Sequence, residues 1–237
     1  MASLVATFLA SIPSTALGQE SPGSFDSRVS LDQGAYVMNV EMTFAAGIPM
    51  REIVAALKNP WLPTEINPAM KVERKNVEIQ NGSNEIHFDS VLTLSSFFLK
   101  SHFVSQCHES FDGALFKRQC TLDTTLAQGG RFMEYKNEDL KCQNEGAQSR
   151  CRLRVIGKLK NIFFLKKEWL AVKAKAEAVK NWGTFWCYVN EGSISVKQSR
   201  QCYDQSSLPS QVQAFQKSNQ ESKDKNEEFH FSWTAIP

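Results

Sequence analysis

The sequence lacks the short motifs that mark several common enzyme classes. It has no G-x-S-x-G nucleophile elbow, no phosphate-binding P-loop and no G-x-G-x-x-G dinucleotide fingerprint. Its 6 cysteines form no C-x-x-C pair, which disfavours zinc and thioredoxin-like sites. Of its 4 histidines, His102 and His108 share a strand face, but no carboxylate stands at metal-ligand spacing with them. We therefore predict no catalytic residue, no metal and no other cofactor.

Long apolar runs are also missing. No segment after the N-terminus is apolar enough to cross a membrane, and the run from Leu4 to Ile12 is too short to do so. Ala16-Leu17-Gly18 follows it as a small-x-small cleavage sequence, although no Lys or Arg precedes the run. These features predict a signal peptide over residues 1–18 and a soluble mature protein, secreted or periplasmic. The alternative is a buried N-terminal helix.

The cysteines agree with export, because disulfides form in oxidising compartments. Two pairs lie symmetrically about turn-forming sequences, as expected for facing positions of antiparallel hairpins, and the last pair remains by elimination. The alternative is six buried thiols in a cytosolic protein. The predicted bridges are Cys107–Cys120 about Asp112-Gly113, Cys142–Cys151 about 144–146, and Cys187–Cys202.

One stretch, residues 150–189, organises the chain. Apolar and basic residues alternate at its start, which predicts a strand with one buried face. Apolar residues then recur every three or four positions, which predicts a long amphipathic helix. Gly183 either ends this helix or lies within it. The helical stripe is small at its centre and bulky at its ends, so room could remain between helix and sheet: Leu165, Trp169, Val172, Ala176, Val179, Trp182, Trp186 and Val189.

Simpler patterns flank this stretch. Residues 19–33 are rich in Ser, Gly and Asp and predict a flexible leader. Ala35 to Phe44 predicts a strand, Pro49 begins a helix, and a Pro-broken segment then leads into a meander of about six strands. Residues 190–237 are polar and predict a mostly disordered extension.

This order of elements resembles the START-like, or birch-pollen-allergen-like, helix-grip superfamily, which includes polyketide cyclase/dehydrase and lipid-transport families. Tyr36 to Asn67 carries the closest likeness, since Ile53 to Pro60 resembles the first helix of the family and its Asn-Pro ending. The resemblance implies an α+β domain over residues 34–189. In it, a curved antiparallel sheet of about seven strands grips the long C-terminal helix. The three disulfides and the long tail depart from the family pattern.

The resemblance further implies an apolar cavity between sheet and helix that holds a hydrophobic small molecule or lipid without chemistry. We expect a monomer. A filled core is the alternative reading of the same apolar residues. The predicted wall comprises Phe88, Leu92, Leu94, Phe116, Met133 and Tyr135 on strands, with Trp169, Val172, Ala176 and Val179 on the helix.

Two other functions stay open. A cyclase/dehydrase-like enzyme would use His87, Asp89 or Tyr135 inside the cavity, although His87 and Asp89 fall on the opposite strand face from Ile86 and Phe88. A filled-core interaction protein would act through a basic face, which could also meet an anionic membrane surface. Nucleic acid is not expected, because no aromatic residues interleave with the basic ones. The basic face comprises Arg150, Arg152, Arg154, Lys158 and Lys160.

Overall fold

The structure is a computed structural model that describes residues 22–32, 34–79, 84–96, 99–125, 132–160, 166–192, 195–221 and 227–235. The predicted signal peptide lies outside these residues. The elements are β1 (Ser24–Asp32), β2 (Ala35–Thr43), α1 (Met50–Lys58), α2 (Leu62–Ile66), β3 (Met70–Ile79), β4 (Glu85–Ser96), β5 (Leu99–Phe111), β6 (Leu115–Leu122), β7 (Met133–Glu145), β8 (Gln148–Leu159), α3 (Lys167–Asn190), α4 (Val196–Gln205), α5 (Leu208–Glu221) and β9 (Glu227–Thr234).

The strands form one antiparallel sheet in the order β3-β4-β5-β6-β7-β8-β2-β1-β9. Strand β2, the helix pair α1–α2, the six-stranded meander β3–β8 and the long helix α3 follow one another as predicted. The meander turns where the sequence indicates, with Gly113 and Gly146 at positive φ. The predicted α+β helix-grip class is confirmed. The sheet has nine strands rather than about seven, because β1 and β9 extend its edge beyond β2.

Two predicted flexible segments are folded instead. Residues 24–32 of the predicted leader form β1, whose Phe25 and Val29 are buried in the core. The predicted disordered extension contains α4, α5 and β9. Helix α5 has few apolar residues, but Leu208, Val212 and Phe215 recur at helical spacing and pack against the main core. The prediction of disorder was based on overall composition, which is polar, and did not take account of this narrow apolar stripe.

Helix α3 is enclosed along its C-terminal half. One side packs on the sheet, while α4 and α5 cover the other, so residues 183–187 are all buried. A Cβ at Gly183 would lie 3.0 Å from both Leu208 and Tyr203 side-chain atoms. This glycine therefore does not end the helix but allows the C-terminal helices to approach it. Within the described residues, no helix is long and apolar enough to cross a membrane.

All three predicted disulfides are present. Cys107–Cys120 joins β5 to β6, and Cys142–Cys151 joins β7 to β8, each between direct cross-strand partners. The third bridge ties α4 to α3. Such bridges stabilise a fold by restricting the unfolded chain, by roughly 3 kcal/mol for a 15-residue loop. The bridge Cys187–Cys202 therefore fixes the C-terminal extension to the helix that organises the domain.

Candidate functional site

The inner face of the sheet, the face that packs against α3, changes character from one side to the other. On β1, β2 and β8, the strands that α3 packs against, it is apolar, with residues such as Val29, Met38 and Leu153 buried in the main core. On β5, β6 and β7 the same face carries charged side chains between apolar ones. Charged groups that are shielded from water need partners, so this part of the inner face is the candidate site.

Glu109 on β5 is the centre of the first charged group. Its residue is only 1% exposed, and three cations surround it. Arg118 Nη2 lies 2.7 Å from one carboxylate oxygen, Lys58 Nζ lies 3.0 Å from the other, and Arg74 Nη2 contacts the first at 3.3 Å. Burial raises the pKa of Glu109, but the guanidinium groups of Arg118 and Arg74 outweigh burial and hold the pKa below its ordinary value.

Two of the predicted wall residues, Phe88 and Phe116, lie against the arginines of this Glu109 cluster. The guanidinium of Arg74 lies 4.4 Å from the ring centre of Phe88, and that of Arg118 lies 5.3 Å from the ring centre of Phe116. Both rings are buried. A cation over an aromatic face is favourable, so these rings support the charged cluster.

Lys175 is the centre of the second charged group. It lies on α3, is only 5% exposed, and its Nζ sits 3.5 Å from the ring centre of Tyr36. Lys136 and Glu138 on β7 act on its charge, and they pair with each other at 3.1 Å. Burial, together with the charge of Lys136, lowers the pKa of Lys175 to about 7, against the opposing effect of Glu138.

Gly157 on β8 explains how Tyr36 reaches this position. A Cβ at Gly157 would lie 2.4 Å from the phenolic oxygen and 2.6 Å from the adjoining ring carbon of Tyr36. Only glycine leaves the ring room to lie across the strand. Burial, and then the charge of Glu138, raises the pKa of the phenol, so Tyr36 presents a neutral ring beneath Lys175.

Basic groups outnumber acidic ones in these two clusters. The two carboxylates are each already paired, Glu109 with Arg118 and Glu138 with Lys136. Within the part of the chain that the structure describes, no carboxylate lies within ion-pair distance of Lys175 Nζ. The inner face therefore carries an excess of positive charge, which is buried at Lys175 and partly exposed at Lys58, Arg74 and Lys136. The basic members are Lys58, Arg74, Arg118, Lys136 and Lys175.

The other predicted wall residues divide into three sets. Met133, Val172, Ala176 and Val179 are buried in the main core. Leu92 and Leu94 on β4 are half-buried, as is their neighbour Phe103 on β5. Tyr135 and Trp169 are each 40% exposed, so neither is an interior wall residue. A register shift between Met133 and Tyr135 displaces the tyrosine, and Lys173 covers one face of the Trp169 ring.

Sequence reasoning missed the charged residues of the inner face, although a signal for them exists. On β6, Arg118 lies between Phe116 and Cys120 in the same period of two. On β7, Lys136 and Glu138 share the face of Leu140. Charges on the apolar face of a strand indicate a buried polar site, and alternation alone could have located them.

The residues of the enzyme alternative lie on the outer face of the sheet. His87 stacks on His108 of β5, with ring centres 4.6 Å apart, and Asp89 accepts a hydrogen bond from Asn76. Their neighbour Phe88 points inward and is buried. An interior acid–base pair of His87 and Asp89 is therefore wrong. Tyr135, the third candidate of that alternative, is exposed.

The predicted basic face is partly neutralised by ion pairs. Arg150 and Arg152 each contact Glu41 and Glu145, and Lys158 contacts Glu134 at 2.8 Å. These pairs reduce the positive potential of the face. Its association with an anionic membrane surface stays a prediction.

Comparison with known proteins finds similarity among solved structures. No family model and no curated protein matches the sequence. Similar solved structures include human STARD10 (TM-score 0.48, 10% identity, 70% of this chain and 71% of that chain). They also include the lipid transfer and protein localization domain of human StarD13 (0.45, 13%, 66% and 80%). A third is the ZhuI aromatase/cyclase from a Streptomyces species (0.40, 13%, 67% and 99%). The likeness concerns the fold alone.

Proposed function

We propose that this chain is an exported binding protein that holds a hydrophobic molecule with an acidic head group between the sheet and α3, without chemistry. The observation that carries the proposal is the buried amine of Lys175. It projects from α3 over the ring of Tyr36 on β2, and Lys136 and Glu138 on β7 act on its charge. A hydrophobic anion is the ligand class that such a position favours.

The charge balance around Lys175 supports an acidic head group. The carboxylate of Glu138 pairs with Lys136 and acts on Lys175 only from beyond ion-pair distance, so the amine of Lys175 has no direct acidic partner among the described residues. Burying a charge without a partner is costly, and an opposite charge within hydrogen-bonding distance offsets that cost. A carboxylate or phosphate placed against Lys175 would raise the pKa of the amine and keep it charged.

The apolar part of the ligand has a matching surface. Half-buried Leu92, Leu94 and Phe103 lie side by side on the inner face of β4 and β5. The rings of Phe103 and Phe132 lie 5.8 Å apart at the same end of the sheet. Burying an acyl chain against such residues is favourable by about 0.8 kcal/mol for each CH₂ group.

Export is supported by the disulfides and by the N-terminal sequence. Three bridges account for all six cysteines, as is typical of proteins that fold in oxidising compartments. The short apolar run and small-x-small sequence of residues 4–18 are typical of a cleaved signal. Mass determination of the mature protein from its native host would test this part of the proposal, since removal of residues 1–18 leaves Gln19 as the first residue.

The binding proposal is tested with a pair of probes that differ only in the head group. A fluorescent long-chain fatty acid and the corresponding alcohol are titrated into the delipidated protein. We expect the acid to bind at least tenfold more tightly than the alcohol, and Lys175→Met to abolish that preference. Lys173→Met is the matched control, since Lys173 lies two residues away on the same helix but is exposed.

Three results would contradict the proposal. Failure of both probes to bind would refute a ligand-holding interior. Equal binding of acid and alcohol would refute the acidic head group. A preference that survives in Lys175→Met, or is lost equally in Lys173→Met, would remove Lys175 from the site.

A further inference from the structure

The outer face of the sheet carries a second cluster, which the proposed ligand site does not use. His87 on β4 and His108 on β5 are direct cross-strand partners. Glu85 lies two residues before His87, so it shares the same face. Directly opposite side chains on antiparallel strands are about 4.5–5.5 Å apart at Cβ, which places these three groups within reach of one small ion.

The distances suit metal coordination better than hydrogen bonding. One ligand atom from each of the three residues lies within 4.8 Å of the other two. His108 Nε2 lies 3.5 Å from Glu85 Oε2. For a tetrahedral ion with bonds of about 2.0–2.1 Å, neighbouring ligand atoms are roughly 3.3 Å apart. The pair Glu85–His108 is already close to this spacing, whereas the His87 ring, which stacks on that of His108, would have to turn to direct a nitrogen to the same point.

A second observation is the state of His108 Nε2. This atom is shielded from solvent and makes no hydrogen bond to any described residue, in spite of the nearby carboxylate. A shielded polar nitrogen without a hydrogen bond is uncommon in folded proteins. A bound cation between the nitrogen and the carboxylate would satisfy both.

The donor set selects the class of ion. Two imidazole nitrogens and one carboxylate oxygen suit Zn²⁺ and neighbouring transition metals, whereas Mg²⁺ and Ca²⁺ favour oxygen ligands throughout. Three protein ligands also leave a fourth position for water or another donor. We propose that Glu85, His87 and His108 form a binding site for one divalent transition-metal ion of the Zn²⁺ class on the outer face of β4 and β5.

The experiment uses the full mature chain, treated with EDTA and titrated with Zn²⁺ in competition with a chromophoric chelator. We expect one equivalent of Zn²⁺ to bind. His108→Gln and His87→Gln should each lower the affinity at least about 100-fold, because even residues that only support metal ligands change affinity by 10–100-fold. His102→Gln is the matched control, since His102 lies on the same face of β5 but bonds to Thr93.

Co²⁺ provides an independent measurement. Tetrahedral coordination by nitrogen and oxygen gives d–d absorption bands, which should appear with the wild type and with His102→Gln but not with His108→Gln. Intact mass checks that the adjacent Cys107–Cys120 bridge has formed in each variant. Absence of Zn²⁺ binding by the wild type, unchanged affinity in either ligand variant, or equal loss in His102→Gln would overturn the proposal.

Discussion

Replacing Lys175 by methionine should make the protein more stable while removing its preference for an acidic ligand. The pKa of this amine falls from an ordinary 10.5 to about 7 in the folded protein, chiefly because the amine is buried. Each pKa unit corresponds to about 1.36 kcal/mol. At pH 7 the lysine therefore lowers the free energy of unfolding by about 4 kcal/mol, and methionine, which has a similar length and no charge, removes this cost.

The buried amine also makes the free energy of unfolding depend on pH, with a sign that can be worked out. Between pH 7 and 10.5 the unfolded chain holds the Lys175 proton more tightly than the folded one, so stability rises with pH in this window. From pH 7 to pH 9 the wild type should gain about 2 kcal/mol from this residue alone. The Lys175→Met variant should lack this gain, so the difference between the two proteins should shrink as the pH rises.

The assay is urea unfolding followed by tryptophan fluorescence at pH 7, 8 and 9, with the exposed Lys173→Met variant as the control. Stability is compared only between proteins with the same m-value, so that a shift of the unfolding midpoint reports a change in the free energy of unfolding. The assignment of a desolvated amine is refuted if the free energy of unfolding changes with pH in the same way in the wild type and in Lys175→Met. It is also refuted if Lys175→Met is less stable than the wild type. A wild type whose pH profile flattens when a fatty acid is bound would support it further.

Other parts of the structure give three more predictions. Glu109→Gln should cost about 3–5 kcal/mol at pH 7, because three cations lose a buried carboxylate, whereas Glu145→Gln at the surface should cost about 1 kcal/mol or less; equal losses in urea unfolding would contradict this. Since the folded pKa of Glu109 is lowered, its stabilising effect is present at neutral pH and is lost in acid as the carboxylate protonates, so the stabilities of the wild type and Glu109→Gln should converge there. Gly157→Ala should destabilise by about 1–3 kcal/mol, because the added methyl group collides with the tyrosine ring across the strand, and calorimetry should show a lower melting temperature. Replacing Cys187 and Cys202 together by serine should cost roughly 3 kcal/mol and expose α4 to proteolysis; unchanged resistance would show that packing alone holds this helix.

The fold was predictable because its main signals are local. The change from period two to helical spacing near residue 160 placed β8 and α3, and two hairpins with symmetric cysteines gave two of the disulfides. These patterns depend on neighbours along the chain. Strand β1 and helix α5 were missed because their apolar residues are few, and only tertiary packing against α3 and β2 makes them sufficient.

The candidate site was less predictable, because it depends on residues from distant elements. Nothing in the sequence around Lys175 shows that Tyr36 and Glu138 lie beside it. The predicted wall assumed that inward positions of a ligand-binding sheet are apolar. Alternation could place Arg118 on the inner face, but only the register of β5 against β6 brings it to Glu109. Which buried charges pair with one another therefore depends on how the strands are ordered and aligned in the sheet, and composition does not show this.

The pairing of β1 with β9 has a consequence for how the protein is made. Asp26 and His230 contact each other across this pair although they are 204 residues apart in the chain. Contacts at such separation form only when both segments have been synthesised, and closing so long a loop costs conformational entropy before the new contacts offset it. A chain still emerging from the ribosome therefore cannot complete its sheet. Strand β1 can pair with β2 early, but its other edge stays open until β9 has been synthesised, so the last step of sheet formation joins segments from opposite ends of the domain.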